Sequence, residues 1–127
     1  MNAILSIKPK FADKILNGEK RFEYRKVIFN RRVNKVFLYA SYPVSRLVGE
    51  FCISKVLCEE PNTLWNMTYM HSGINKSYFD DYFSGRSLAY AIEISTHKRY
   101  KSPINPKNLI KDFRAPQSFC YTEIENV

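Results

Sequence analysis

Apolar side chains in this chain recur mostly every second residue, and only three windows carry the 3.6-residue period of a helix. "AILSIK" (3–8) is a short apolar strand. Pro9 then opens a helix at a tolerated first-turn position, with Phe11, Ile15 and Leu16 on one face and Asn17-Gly18 as its stop. "KRFEYRK" (20–26) predicts a strand with Phe22 and Tyr24 pointing one way and Arg21, Glu23 and Arg25 the other. "KVFLYAS" (35–41) is apolar on both faces, Val36, Leu38 and Ala40 against Phe37 and Tyr39, which predicts a central strand. "SRLVGEFCISKVL" (45–57) is a long strand, and Gly49 in its middle signals a bulge or a close approach. Asn62 or Thr63 is the predicted cap of a helix carrying Leu64, Trp65 and Thr68. Asn75 caps a third, with Tyr78, Phe79, Tyr82 and Phe83 as a stripe that reads as core. "SLAYAIEIS" (87–95) and "SFCYTEI" (118–124) alternate as strands, and the stretch between them reads as a loop with a helical turn near Leu109.

Six strands of moderate length with little helix predict an α+β fold. The architecture expected is a small mixed β-barrel of about five to six strands, with two to three short helices at its ends. The 127 residues are expected to form one domain, which that length allows to bury a core without a disulfide or a metal. The aromatic share of 15%, with nine Tyr and nine Phe, favours strands. No run approaches the length of a membrane span, and "MNAILSIKPK" lacks the charged start and cleavage site of a signal peptide. Cys52, Cys58 and Cys120 are odd in number and widely spaced, which argues against a disulfide framework and against zinc. Cys52 reads as a small buried hydrophobe. The compartment expected is a reducing cytoplasm.

A net charge of +8 directs attention to anionic partners, nucleic acid first. The charge concentrates in one place: residues 20 to 35 hold seven basic residues and one acid, Glu23. Lys20, Arg21, Arg25, Lys26, Arg31, Arg32 and Lys35 are the bases, with Phe22, Tyr24 and Phe29 interleaved. Basic residues attract phosphates without regard to sequence, and aromatics stack on unpaired bases. A carboxylate beside guanidiniums is either a structural ion pair or a polar site that accepts from a base's exocyclic amine. Lys20 sits too near the Gly18 turn for spacing to say whether it joins Glu23. His71 and His97 read as surface histidines. Neither a nucleophilic triad nor a phosphate loop is present, and no metal or organic cofactor is implied.

"ILSIKPKFADKILNGEKRFEYRK" resembles the start of the ASCH family, within the PUA-like β-barrel superfamily. The family's G-x-K-x-x-E-x-R signature is met in full by Gly18, Lys20, Glu23 and Arg25, and the likeness continues in "VFLYASYPVSRLVGEF", "FDDYFSGRSLAYAIEI" and "RAPQSFCY". The resemblance implies a PUA-like barrel with a cleft beside the first helix, and RNA or a modified nucleoside or nucleotide as its partner. It places Ser41 and Ser118 at the cleft rim, where Tyr39 or Ser41 can meet a nucleobase. One branch of the family removes the acetyl group of N4-acetylcytidine with a lysine and a threonine of this signature and a separate glutamate. Another branch is reported to cut RNA. Lys20 matches that lysine, but Glu23 stands where the threonine would be, and a carboxylate is not that hydroxyl nucleophile. Three readings follow: an RNA-binding module using Lys20, Glu23 and Arg25 in the cleft; a hydrolase using Lys20 and Glu23; and a scaffold that recruits a protein partner through its Tyr and Phe.

Overall fold

The computed structural model describes residues 1–127. Its elements are β1 (Asn2–Ile7), α1 (Pro9–Leu16), β2 (Phe22–Arg25), β3 (Lys35–Ala40), β4 (Arg46–Glu59), α2 (Pro61–Thr68), α3 (Lys76–Tyr82), β5 (Ala89–Ile104) and β6 (Phe119–Thr122). The strands form one sheet in the order β2-β5-β4-β3-β1-β6, in which only the β1–β3 pair is parallel. β2 pairs only with β5 and β6 only with β1, so the sheet curls into a half-barrel with an open seam between its two edges. No helix is long and apolar enough to cross a membrane.

β3 is central, as its two apolar faces require. Val36 and Leu38 join the cluster that receives Ala12, Ile15 and Leu16 of α1; Phe37 and Tyr39 join a second cluster beneath the C-terminal segment. Each fully buried Leu, Ile or Phe in these layers contributes about 1.5–3 kcal/mol. Gly49 serves both roles its position suggested. The register slips beside it, between Leu47 and Gly49 on β4. A Cβ there would stand 2.6 Å from the Lys98 carbonyl oxygen and 2.7 Å from the Leu16 methyls, so α1 can sit close to the sheet only over a glycine.

At the β2 end, α2 and α3 bring Leu64, Phe79 and Phe83 onto Phe22, Tyr24, Ala89 and Ala91. Asn75 caps α3, its side chain accepting from the Tyr78 amide at 2.8 Å. α2 starts two to three residues earlier than the pattern predicted. Pro61 occupies its first turn, and the Glu60 carboxylate, not Asn62 or Thr63, accepts from the free amides of Asn62 and Thr63. Those hydrogen bonds, the Asn62 amide first, hold the Glu60 carboxyl below its ordinary range.

Two further expectations change. β5 does not stop near Ser95 but runs to Ile104, because the first half of β4 needs a partner and takes it from this polar stretch. Three register irregularities lie along that pairing, and they explain why no clean alternation marks it. Cys52 is half-buried, not sealed in the core.

Candidate functional site

The G-x-K-x-x-E-x-R stretch leaves α1 through Gly18, whose φ of +83° is a conformation that favours glycine. The chain then runs Glu19 to Arg21 outside any regular element and enters β2 at Phe22. That short irregular run decides the site. In a continued pleat Lys20 would face away from Glu23; free of it, Lys20 turns inward and its ammonium comes within 3.8 Å of Glu23 Oε1. Arg21 goes the other way. The strand pattern put it on the face of Glu23, but its backbone is fixed between the His71 carbonyl and the Ile94 amide, and its side chain lines a different hollow with Ser95 and His97. The second cation beside Glu23 is therefore Lys20.

Lys20 is 2% exposed and Glu23 is 5% exposed, so both charges are held out of water. Lys20 Nζ donates to the Ser72 carbonyl at 2.6 Å and lies 4.8 Å from the centre of the Tyr24 ring and 5.6 Å from that of Phe11. Burial lowers its pKa to about 8, with Glu23 opposing and Lys14 and Arg25 assisting. Arg25 donates from Nε and Nη2 to Glu23 Oε2, at 3.0 and 2.8 Å. Its guanidinium continues across the seam, to the Ser6 carbonyl at 2.8 Å and Ser118 Oγ at 3.3 Å. One side chain of β2 thus ties that edge to β1 and to the residue before β6. Glu23 Oε1 accepts no hydrogen bond within the chain, and no buried side-chain oxygen or nitrogen is sealed without a partner. Oε1 therefore faces unsealed space beside the Lys20 ammonium.

That space is a cavity of about 160 Å³ at the seam, lined by Ser6, Ile7, Lys8, Phe11, Lys20, Glu23, Tyr24, Arg25, Ile74, Tyr78 and Tyr82. It is smaller than the roughly 300–1,000 Å³ of pockets for drug-sized ligands, a size closer to one ring than to a whole nucleotide. Its lining combines charged and aromatic side chains. Three cations line it against one carboxylate. Burial raises the Tyr82 phenol, and burial raises Tyr24 to about 12 while its hydroxyl bonds Thr68 Oγ1 at 2.7 Å. Both stay neutral hydrogen-bonding groups at ordinary pH.

Of the residues singled out in the sequence, Lys20, Glu23 and Arg25 line this cavity. Ser118 touches Arg25, Ser41 reaches the lining only through its amide on the Ile7 carbonyl, and Lys26 stands at the edge with Nζ 4.7 Å from the Tyr82 ring centre. Arg31 and Arg32 lie elsewhere, on a hollow of about 280 Å³ formed with Ile28, Phe29, Val33, Ile53, Lys55 and Val56. Tyr39 faces the opposite side of the sheet, against Phe113. The sequence reading missed Tyr78 and Tyr82. The aromatic stripe of α3 is not all core: Phe79 and Phe83 are buried, while Tyr78 and Tyr82, four apart on the neighbouring face, wall the cavity. The choice of Tyr over Phe at those two positions was the available signal.

The sequence model of the ASCH domain matches residues 5–100. A Zymomonas mobilis protein named as an ASCH domain-containing ribonuclease is 30% identical over 130 residues, covering 97% of this chain and 85% of that protein. The crystal structure of ASCH from Zymomonas mobilis superposes with a TM-score of 0.89 at 27% identity, over 96% of this chain and 87% of the other. The N-terminal domain of Staphylothermus marinus McrB shares the fold more loosely, with a TM-score of 0.52 at 13% identity over 87% of this chain and 81% of that one.

Proposed function

Since the chain belongs to the ASCH domain family, we propose that it binds RNA by taking one unpaired base into the seam cavity. The observation that carries this reading is Glu23 Oε1, which accepts no hydrogen bond and meets only the Lys20 ammonium at 3.8 Å, in a cavity lined by Phe11, Tyr78 and Tyr82. A carboxylate oxygen accepts from an exocyclic amine, while Tyr78, Tyr82 and Phe11 supply the faces on which a ring stacks. Lys8 and Lys26 at the edge, and Arg31 and Arg32 beyond it, attract the phosphates. The test is a titration with short single-stranded RNA at several salt concentrations. Affinity should weaken as salt rises and should fall in Glu23→Gln at every salt concentration. Absence of binding at low salt would end the proposal.

A second reading is strand cleavage, favoured by the ribonuclease name of the Zymomonas mobilis relative and by the proton affinity of Lys20, lowered toward neutrality. In this reading Lys20 and Glu23 handle the protons of the reaction, and the hydroxyl chemistry of the deacetylating branch is not used. End-labelled RNA incubated with the wild type, Lys20→Met and Glu23→Gln decides it. Cleavage that persists unchanged in both variants would assign the activity to another group or to a contaminant.

A further inference from the structure

The signature stretch walls two hollows, not one. Lys20, Glu23 and Arg25 face the seam cavity, while Gly18, Lys20 and Arg21 line a second space of about 240 Å³ with Ile94, Ser95 and His97. Lys20 belongs to both. Its ammonium enters the first, and its stem is roofed by Ser72 and Gly73, where a Cβ on Gly73 would come within 2.7 Å of Lys20 Cβ and Cγ. The wall between the hollows is therefore a single stretch of chain.

The second hollow has the chemistry of an anion site. No carboxylate lines it. The Arg21 guanidinium and the His97 imidazole make no hydrogen bond or ion pair within the chain, whereas Arg25 is tied to Glu23 and Arg99 to Asp13. Ser95 gives its hydroxyl proton to the Cys52 carbonyl at 3.0 Å, so donors for a ligand come from Arg21 and His97. Both side chains extend from anchored backbone: Arg21 is pinned between His71 and Ile94, and His97 is held in β5 opposite Phe51. Gly18 presents no side chain to the space, and a Cβ on it would stand 3.6 Å from His97 Nε2.

We propose that this hollow is a phosphate subsite for the strand whose base occupies the seam cavity, with Arg21 and His97 as the two donors and Gly18 leaving the entrance clear. The inference rests on the RNA reading above. The strand passes over the Ser72–Gly73 turn that covers Lys20, one nucleotide giving its base to Glu23 and a neighbouring phosphate going to Arg21. A guanidinium offers a phosphate two parallel N–H donors, and the adjacent imidazole adds a third.

Two measurements on the full chain test it. In the first, short single-stranded RNA is titrated across a salt series into the wild type, the double variant Arg21→Ala with His97→Gln, and Lys111→Ala as a remote charge control. Loss of the single phosphate held there should lower the salt slope by about 0.7, with little change in the control. Binding with an unchanged slope, or an equal fall in the control, overturns the subsite and leaves the base site standing. In the second, inorganic phosphate is titrated while the His97 ring resonances are followed by NMR. A saturable shift in the wild type, lost in Arg21→Ala, supports the subsite even if no RNA binds. No shift, a linear shift, or one that Arg21→Ala retains means an adventitious ion only, and overturns it.

Discussion

Lys20 and Arg25 line the seam cavity, Arg31 and Arg32 a separate hollow, and the two pairs are held in opposite ways. Lys20 and Arg25 share Glu23, and every further donor contact they make is to a carbonyl or hydroxyl oxygen of Ser6, Ser72 or Ser118. Arg31 meets the Met1 sulfur at 3.5 Å and lies 4.9 Å from the Tyr121 ring centre, and Arg32 makes no ion pair. A charge out of water destabilises the fold or gives up its charge unless it is paired, so pairing holds the buried set in one geometry. A charge in water keeps its solvation and acts at a distance, over roughly a Debye length that salt shortens. The buried set is therefore suited to recognise and the exposed set to attract.

The largest expected effect comes from removing the acid the buried set shares. Glu23→Ala leaves two cations out of water with no counter-charge, which should cost about 3–5 kcal/mol of stability by urea denaturation. A loss below about 1 kcal/mol would place Lys20 and Arg25 in the same class as the surface arginines.

Next is the pH dependence of Lys20. Folding takes its ammonium out of water, so the folded chain binds that proton less tightly than the unfolded one, and the pKa drops from 10.5 to about 8. Between those two values the unfolded state holds the extra proton, and stability from this group rises with pH across the window. The full gain is on the order of 3 kcal/mol. Denaturation of the wild type and Lys20→Met at both ends of the window should show the wild type gaining on the variant; parallel curves would mean a solvated ammonium.

Tyr82→Ala removes one aromatic wall and leaves the pairing of Lys20, Glu23 and Arg25 in place. RNA affinity should fall by about 1–3 kcal/mol in a fluorescence titration, by an amount that does not depend on salt. The smallest effect belongs to Arg31→Ala with Arg32→Ala. Stability should stay within about 0.5 kcal/mol, and each lost phosphate contact should lower the RNA salt slope by about 0.7. A double variant that unfolds, or a slope that does not move, would erase the contrast between the two pairs.

The six strands and three helices were legible in the chain because most strands bury one or both faces, and burial writes itself as alternation. The second half of β5 was not, because its side chains from Ser95 to Arg99 are exposed and its pairing is bulged. The position of Lys20 depends on the three residues of irregular backbone, Glu19 to Arg21, before β2, and Arg21 was assigned to the wrong face for the same reason. The resemblance supplied the convergence of Lys20 with Glu23 that spacing left open. Arg25 was read as a ligand contact; its reach across the seam to Ser6 and Ser118 depends on the curl of the sheet, which no local pattern encodes. Tyr78 and Tyr82 were hidden by their neighbours, since four aromatics at helical spacing look like core until the partner surface is known.

The side-chain nitrogen of Lys20 offers the most direct test. With the lysines labelled with ¹⁵N at the side chain, its ammonium signal can be followed while short single-stranded RNA is added. A base entering the cavity should shift that signal saturably, with the same midpoint as the affinity, in moderate salt as well as in low salt. If RNA binds with the Lys20 signal unmoved, and only surface signals respond, recognition lies outside the cavity.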